Sequence, residues 1–164
     1  VVEGEPDPMT WRALAGAVVN PALEETYTAT AGGGSFLNGR RLEVATGVQL
    51  PLALIGTGFS YTAERRTRQM DILRGLIHEV RDIRRIGSAA LDLCSVASGR
   101  LDVYYERGLN PWDLAAGSLV ASEAGARVGA LDGARGGREL IIAAEPGLYD
   151  RFAPLLASLG VTDR

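Results

Sequence analysis

The stretch GSAALDLCSVASGRLDVYYERGLNPWDLAAGSLVASEAG, from Gly87 to Gly125, contains the clearest structural signals of this chain. It predicts a buried helix over 89–98 that ends at Gly99, because this segment is apolar on most sides and glycine is common just past a helix end. A strand over 101–105 follows, and then a helix over 113–124 that ends at Gly125. Alternating elements of this kind indicate layered packing of sheets and helices.

Two acidic residues flank the short turn between this strand and the second helix. Glu106 closes the strand, and Asp113 begins the helix after Pro111 and Trp112. The turn can bring both carboxylates to one rim, where a carboxylate pair can hold a hard cation such as Mg²⁺. Backbone N–H groups and the helix dipole at a helix start favour an ionised Asp113. An ionised carboxylate is the form that Mg²⁺ binds.

Ser88 lies where an extended segment, 81–86, meets the first helix. The backbone N–H groups of Ala89 and Ala90 are therefore expected to point outward at a helix start, which can accept oxygens or anions. Each candidate also has a plainer interpretation: Ser88 as an N-cap, Asp113 as a helix-terminal acid, and Glu106 as a solvated strand end. The order and spacing of the three residues together favour a functional site over three separate structural roles.

The segments on either side of this stretch also alternate between strand and helix. Upstream, the sequence predicts paired strands over 13–20 and 26–30, a tight turn at Asn38-Gly39, an interior strand over 52–57 and an amphipathic helix over 65–80. The apolar face of that helix would consist of Leu73, Leu76, Ile77 and Val80. Downstream, a strand over 139–144 and a final helix over 148–159 are predicted.

The run Gly32-Gly33-Gly34 is interpreted as a hairpin turn, because no Lys-Ser or Lys-Thr pair follows it as a phosphate-binding loop requires.

Composition limits the classes of partner. The 164 residues are 46% hydrophobic and 23% charged, which suits one sizeable core. The net charge of −3 argues against a nucleic-acid partner or an anionic membrane. All 17 cationic side chains are arginines, so no catalytic lysine is available. A single cysteine, Cys94, falls in an apolar run, which predicts a buried thiol and favours a reducing compartment, the cytoplasm.

Four segments in this order resemble the C-terminal signature of the inositol monophosphatase family. They are Gly87-Ser88-Ala89-Ala90-Leu91-Asp92, Asp102-Val103-Tyr104-Tyr105-Glu106, Pro111-Trp112-Asp113-Leu114-Ala115-Ala116-Gly117 and Glu123-Ala124-Gly125. Earlier stretches are similar to that family as well, so the resemblance covers nearly the whole chain. It implies an α/β fold of the layered α+β type, with the alternating sheet and helix layers of inositol monophosphatases and related sugar phosphatases.

The resemblance also implies a function and a role for each motif. The family hydrolyses phosphate monoesters with Mg²⁺ ions and water, and it forms homodimers. Asp113 would be a metal ligand near the leaving-group oxygen, and Glu106 would bind a polyol hydroxyl. Gly87, Ser88 and Ala89 would line the substrate ring.

One motif of the family is absent. The other metal-binding run, Asp-Pro-x-Asp-Gly-Thr, does not occur, and the only Asp-Gly pair, Asp132-Gly133, lies after the second motif. We therefore expect this chain to be the C-terminal portion of a longer phosphatase, inactive alone. Residues 1–57 would complete the N-terminal sheet region, and residues 58–164 would form a C-terminal α/β subdomain carrying the second metal and substrate motif.

Alternatives remain at this level. A Glu at position 106 favours inositol-type phosphatases over the histidinol-phosphate and nucleotide-bisphosphate branches of the family. A non-catalytic protein that uses the same fold for binding or regulation is the alternative from a different class, and the missing metal motif favours it. Retention of Glu106 and Asp113 together opposes it.

Overall fold

Sheets and helices alternate in four layers, which confirms the predicted fold class. The computed structural model describes residues 1–162. Its strands are β1 (Val2–Glu3), β2 (Arg12–Ala13), β3 (Ala15–Asn20), β4 (Glu25–Thr30), β5 (Gly34–Leu37), β6 (Arg40–Arg41), β7 (Leu54–Thr57), β8 (Asp82–Arg84), β9 (Val103–Glu106), β10 (Arg127–Gly129) and β11 (Ile141–Ala144). Its α-helices are α1 (Ala63–Leu76), α2 (Ala89–Ala97), α3 (Pro111–Glu123) and α4 (Pro146–Ser158).

A five-stranded mixed sheet carries the strand order β10-β11-β9-β7-β8. Strands β8 and β9 both pair with β7 in parallel, whereas β11 runs antiparallel to β9. Each parallel strand is followed by a helix, since α1 follows β7, α2 follows β8 and α3 follows β9. The carboxyl ends of the three strands and the starts of the three helices therefore lie along one edge of the sheet.

A four-stranded antiparallel meander, β3-β4-β5-β6, forms the second large sheet. Strand β4 alternates strictly between buried and exposed side chains, so its Tyr27 and Ala29 face the interior while Thr26, Thr28 and Thr30 face outward. This is the pattern of a sheet with one covered face. Strands β1 and β2, which precede this sheet in the sequence, form a separate two-stranded ladder.

Three apolar clusters separate the layers. The first lies between the mixed sheet and helices α1 and α4, and includes Ile55, Tyr105 and Phe152. The second lies between the other face of that sheet and helices α2 and α3, and includes Leu93 and Tyr104. The third joins α2 and α3 to the four-stranded sheet. Tyr104 and Tyr105 thus point to opposite faces of β9, as adjacent strand residues must.

The helix layer is tightly packed. A Cβ atom at Gly117 of α3 would lie 3.0 Å from the Cβ atom of Leu93 on α2. A Cβ atom at Gly16 of β3 would lie 3.0 Å from the Cα atom of Ala116. Glycine at these two positions lets the helices approach each other and the sheet closely. Cys94 is buried in this layer, as predicted, and burial raises the pKa of its thiol to about 12.

Gly32 and Gly33 lie in the turn between β4 and β5, and Gly34 begins β5, which confirms the hairpin interpretation. The backbone N–H groups of Gly32 and Gly34 donate hydrogen bonds of 2.8 Å each to the two carboxylate oxygens of Glu123. An acid at the end of α3 therefore holds the tip of the hairpin.

Several predicted boundaries differ from the structure. Helix α1 covers Ala63–Leu76, not 65–80, and Ile77, predicted on its buried face, is 43% exposed. The backbone turns after Leu76, and Val80 reaches the core from the following loop. The strand predicted over 101–105 is Val103–Glu106, and the final helix begins at Pro146. The short strands β6 and β10 were not predicted from the sequence. The division of the chain at residue 57 stays a prediction.

No helix within residues 1–162 is long and apolar enough to cross a membrane.

Candidate active site

A polar cleft of about 550 Å³ lies at the edge of the mixed sheet where the parallel strands end. Gly58 follows β7, Arg85 follows β8, and Glu106 closes β9 at this edge. Residues in the first turns of α1, α2 and α3 also line the cleft. Ligands of open α/β sheets bind outside the carboxyl ends of the strands, and helix starts present N–H groups to anions.

The predicted site residues meet in this cleft. Its lining includes Gly87, Ser88, Ala89, Glu106 and Asp113. The structure therefore brings together all five residues that the sequence singled out.

Glu106 is held against the floor of the cleft. The Tyr104 hydroxyl donates a 2.7 Å hydrogen bond to its Oε2 atom. A Cβ atom at Gly58 would lie 2.1 Å from the same oxygen, so the carboxylate rests directly on the glycine backbone. Tyr104 is two residues before Glu106 and therefore on the same face of the strand, a relationship that the alternation along β9 could have indicated.

Burial raises the pKa of Glu106, and the negative charge of Asp113 adds to this effect. The Tyr104 hydrogen bond and the positive charge of Arg85 oppose it. Glu106 is thus a partly desolvated carboxyl group with a defined donor, and it is not the freely solvated strand end of the plainer interpretation.

Asp113 is the third residue of α3 and faces the cleft. Its Oδ2 atom accepts a 2.9 Å hydrogen bond from the backbone N–H of Asn110, which fixes the carboxylate at the helix start. No hydrogen bond within residues 1–162 uses its Oδ1 atom. The Asp113 side chain can therefore cap the helix with one oxygen and bind a metal ion with the other.

A complete metal-binding cluster is not present in the described part of the chain. Residues 1–162 contain no group of three or more acidic, His or Cys side chains that could hold a metal ion. Mg²⁺ usually keeps several waters and takes one or two protein carboxylates. The oriented carboxylate of Asp113 fits that requirement as a single ligand.

Gly87, Ser88 and Ala89 form the start of α2. Gly87 has a φ of +95°, a conformation that other residues rarely adopt. The Ser88 hydroxyl accepts from the backbone N–H of Leu91 at 3.4 Å, so Ser88 is the N-cap of the helix. The N-cap interpretation of Ser88 is correct, and the residue also borders the cleft.

Asp92 lies one turn further along α2. It is fully buried, and within residues 1–162 neither carboxylate oxygen has a hydrogen-bond partner. Its Oδ1 atom would lie 3.2 Å from a Cβ atom at Gly56 of β7. Burial raises the pKa of Asp92 and the charge of Glu106 adds to the rise; Arg85 and the Ser88 backbone offset part of it, and the resulting pKa is about 7. The signal in the sequence was a lone acid within an apolar helix.

Sequence reasoning missed the arginines of the cleft. Four of them line it: Arg65 on α1, Arg85 directly after β8, Arg107 directly after β9, and Arg138 in the loop before β11. Arg85 and Arg107 directly flank the recognised motifs, so adjacency could have indicated them. Arg65 and Arg138 are distant in sequence and are brought to the cleft only by the fold.

The chain is therefore a layered α+β protein, and its polar cleft lies at the sheet edge where three parallel strands end. Within that class, the chain belongs to the inositol monophosphatase family, whose family model matches residues 10–159.

Individual relatives agree with this assignment. The "Inositol-1-monophosphatase SuhB" of Mycobacterium tuberculosis is 50% identical over 151 residues, which cover 89% of this chain and 51% of the relative. The "Nus factor SuhB" of Escherichia coli K12 is 47% identical over 109 residues, covering 66% of this chain and 41% of the relative. The solved structure of Mycobacterium tuberculosis SuhB superposes with a TM-score of 0.81 at 44% identity, covering 90% of this chain and 60% of that one. The chain thus spans about half the length of the curated relatives it matches.

Proposed function

We propose that this chain supplies the substrate-selecting rim and one metal ligand of a Mg²⁺-dependent phosphomonoesterase that acts on inositol monophosphate or a related polyol phosphate. The observation that carries the proposal is the meeting of Glu106, Asp113 and three helix starts in one cleft. Family membership supports it, and so does the name of the mycobacterial relative. The chain would act as the C-terminal portion of a longer enzyme.

Asp113 would hold Mg²⁺ through Oδ1, while the Asn110 N–H keeps the carboxylate aimed into the cleft. Bound there, the ion would neutralise phosphate charge and stabilise the departing alkoxide. The chain's contribution to this step is orientation, because a ligand fixed before the ion binds needs no rearrangement.

Glu106 would accept a hydrogen bond from a hydroxyl group of the polyol. The Tyr104 hydroxyl holds its Oε2 atom, and Gly58 leaves room for the carboxylate beneath the substrate. The N–H groups at the start of α2, next to Gly87 and Ser88, would contact the ring or the phosphate. These contacts position the ester relative to Asp113.

The test is phosphate release from inositol 1-phosphate with and without Mg²⁺, for the 164-residue chain and for the full-length gene product. We expect activity only in the longer protein and only with Mg²⁺. Glu106→Gln in that protein should reduce its preference for inositol 1-phosphate over other phosphomonoesters. An unchanged preference would refute the role of Glu106.

The second candidate is a binding or regulatory protein on the same fold, and the relative named Nus factor SuhB favours it. Absence of phosphate release from both proteins, with intact folding, would move this candidate to first place.

We also propose a homodimer and a cytoplasmic location. Light scattering coupled to size-exclusion chromatography tests the first, and fractionation of cells tests the second.

A further inference from the structure

A half-buried glutamine of α1 holds the β7–α1 loop, residues 58–62. The backbone N–H of Ser60 donates a 2.9 Å hydrogen bond to the Oε1 atom of Gln69, and the Nε2 atom of Gln69 donates a 3.2 Å hydrogen bond to the carbonyl of Gly58. A side-chain amide has both acceptor and donor groups, so this one residue binds the backbone on both sides of Phe59. The loop is thereby tied to the helix that follows it.

The same loop supports the carboxylate of Glu106. Gly58, whose carbonyl accepts from Gln69, is also the glycine whose missing side chain leaves room for that carboxylate. Gln69, Gly58 and Glu106 line one small cavity of about 10 Å³. The Tyr104 hydroxyl holds Glu106 from its own strand. A shift of Gly58 would therefore change the surface on which Glu106 rests.

A second side chain of α1 contacts this loop at a more exposed place. The Nη1 atom of Arg66 donates hydrogen bonds of 3.2 Å and 2.9 Å to the carbonyls of Ser60 and Tyr61. These two bonds are exposed to water, whereas both bonds of Gln69 are partly buried and one of them reaches Gly58 itself. Hydrogen bonds are electrostatically stronger where the local dielectric is lower. We therefore expect Gln69 to restrain Gly58 more than Arg66 does.

We propose that Gln69 is a positioning residue, which fixes the β7–α1 loop and, through Gly58, keeps the Glu106 carboxylate oriented to accept a polyol hydroxyl. This inference rests on the proposed function and adds to it a residue outside the lining of the cleft. A group that is oriented before its ligand arrives has less freedom to lose on binding. Release of the loop should therefore weaken the contact with the polyol and leave the metal site unchanged.

Amide hydrogen exchange of this chain tests the loop contact without any substrate. Gln69→Met keeps the length of the side chain and removes both hydrogen-bonding groups, so the Ser60 N–H should exchange about three- to tenfold faster. Gln69→Glu keeps an acceptor for that N–H and should retain most of its protection. Arg68→Met is the matched control, because Arg68 is the preceding residue of α1, is exposed and pairs with Glu64. Wild-type exchange of Ser60 in Gln69→Met would overturn the inference.

Kinetics of the full-length gene product test the consequence for the cleft. In Gln69→Met the KM for inositol 1-phosphate should rise about three- to tenfold at a nearly unchanged kcat, since about one hydrogen bond of substrate binding is weakened. The KM for p-nitrophenyl phosphate, which has no polyol hydroxyl, should not change, and Arg68→Met should leave all these values at the wild-type level.

A merely structural role of Gln69 would give a different result. Loss of folded protein would lower kcat for both compounds by the same factor and leave both KM values in place. That outcome, or an equal change of KM for the two compounds, would overturn the positioning role.

Two further outcomes separate this inference from the proposed function. Hydrolysis of inositol 1-phosphate with wild-type KM and kcat in Gln69→Met would overturn only the role of Gln69. Titration calorimetry of the full-length protein with inositol 1-phosphate in Mg²⁺ covers the other case. Weaker binding by Gln69→Met than by the wild type, with no phosphate release from either, would refute the phosphatase proposal and support the positioning role.

Discussion

The carboxylate of Glu106 occupies the space that a side chain at Gly58 would fill. A Cβ atom at Gly58 would lie 2.1 Å from Oε2 and 2.2 Å from Oε1 of Glu106. The end of one parallel strand therefore leaves room for the acidic group at the end of the next.

Gly58→Ala tests this relationship without changing any charge. The new methyl group should push the flexible Glu106 carboxylate out of its place and break its hydrogen bond to Tyr104, while the fold persists. We expect the selectivity for inositol 1-phosphate in the full-length protein to fall as far as it does in Glu106→Gln. Selectivity is read as a ratio of kcat/KM values, with circular dichroism as the check on folding. Wild-type selectivity in the alanine variant would show that the position of Glu106 does not matter.

Asp92 predicts how stability depends on pH. The pKa of Asp92 is about 7 in the folded chain, against about 3.9 in an unfolded one. Between these values the folded state keeps a proton that the unfolded state has lost, so the free energy of unfolding falls as the pH rises. The loss is about 2–4 kcal/mol. Glu106 adds a slope of the same sign, because its pKa is also raised.

Asp92→Asn should therefore reduce the fall in stability between pH 4 and 7 and should make the chain more stable than the wild type at pH 8. The amide remains neutral at every pH and has nearly the same shape. Denaturant titrations at several pH values measure the effect. Asp71→Asn, an exposed acid on α1, is the control and should leave the slope of the wild type in place. An unchanged slope in the Asp92 variant would contradict the assignment.

Asp113→Asn should keep the fold, because an amide oxygen can still accept the hydrogen bond from the Asn110 N–H. In the full-length protein it should lower phosphate release by orders of magnitude, since a neutral amide binds Mg²⁺ much more weakly than a carboxylate. Rates at increasing Mg²⁺ concentration separate a loss of metal affinity from a loss of chemistry. Turnover at the wild-type level would mean that the metal ligand has been misassigned.

Glu123→Ala should destabilise the chain by about 1–2 kcal/mol, because the Gly32 and Gly34 N–H groups lose a charged acceptor. Thermal or chemical denaturation measures the change. Glu79→Ala removes an exposed acid elsewhere and should alter stability by no more than about 0.5 kcal/mol. Equal effects of the two substitutions would show that the hairpin contact contributes nothing.

Periodicity and turn residues were sufficient to predict the layered class, the α2–β9–α3 order and the first two paired strands of the meander. Boundaries were less predictable where a loop residue enters the core. Leu101 is buried although it precedes β9, and Asp102 accepts a 2.7 Å hydrogen bond from the Leu54 N–H through its side chain, so the ladder begins later than the apolar run. Local pattern cannot distinguish such a side-chain contact from a strand.

The acidic part of the cleft could be predicted because its residues are close in sequence. Arg65 and Arg138 could not, since α1 and the segment before β11 reach the cleft only because β7 and β9 are parallel and β11 is antiparallel. Strand direction is a property of the assembled sheet, and no short motif in the chain encodes it.

Helix α3 has a carboxylate contact at each end: Asp113 with Asn110 at its start, and Glu123 with the glycine hairpin at its end. Its thirteen residues span about 20 Å. The hairpin tip and the cleft rim are thereby held at the two ends of one helix. A spectroscopic label on the exposed tip would therefore keep a constant distance from Asp113 and would serve as a fixed reference for distance measurements to the cleft.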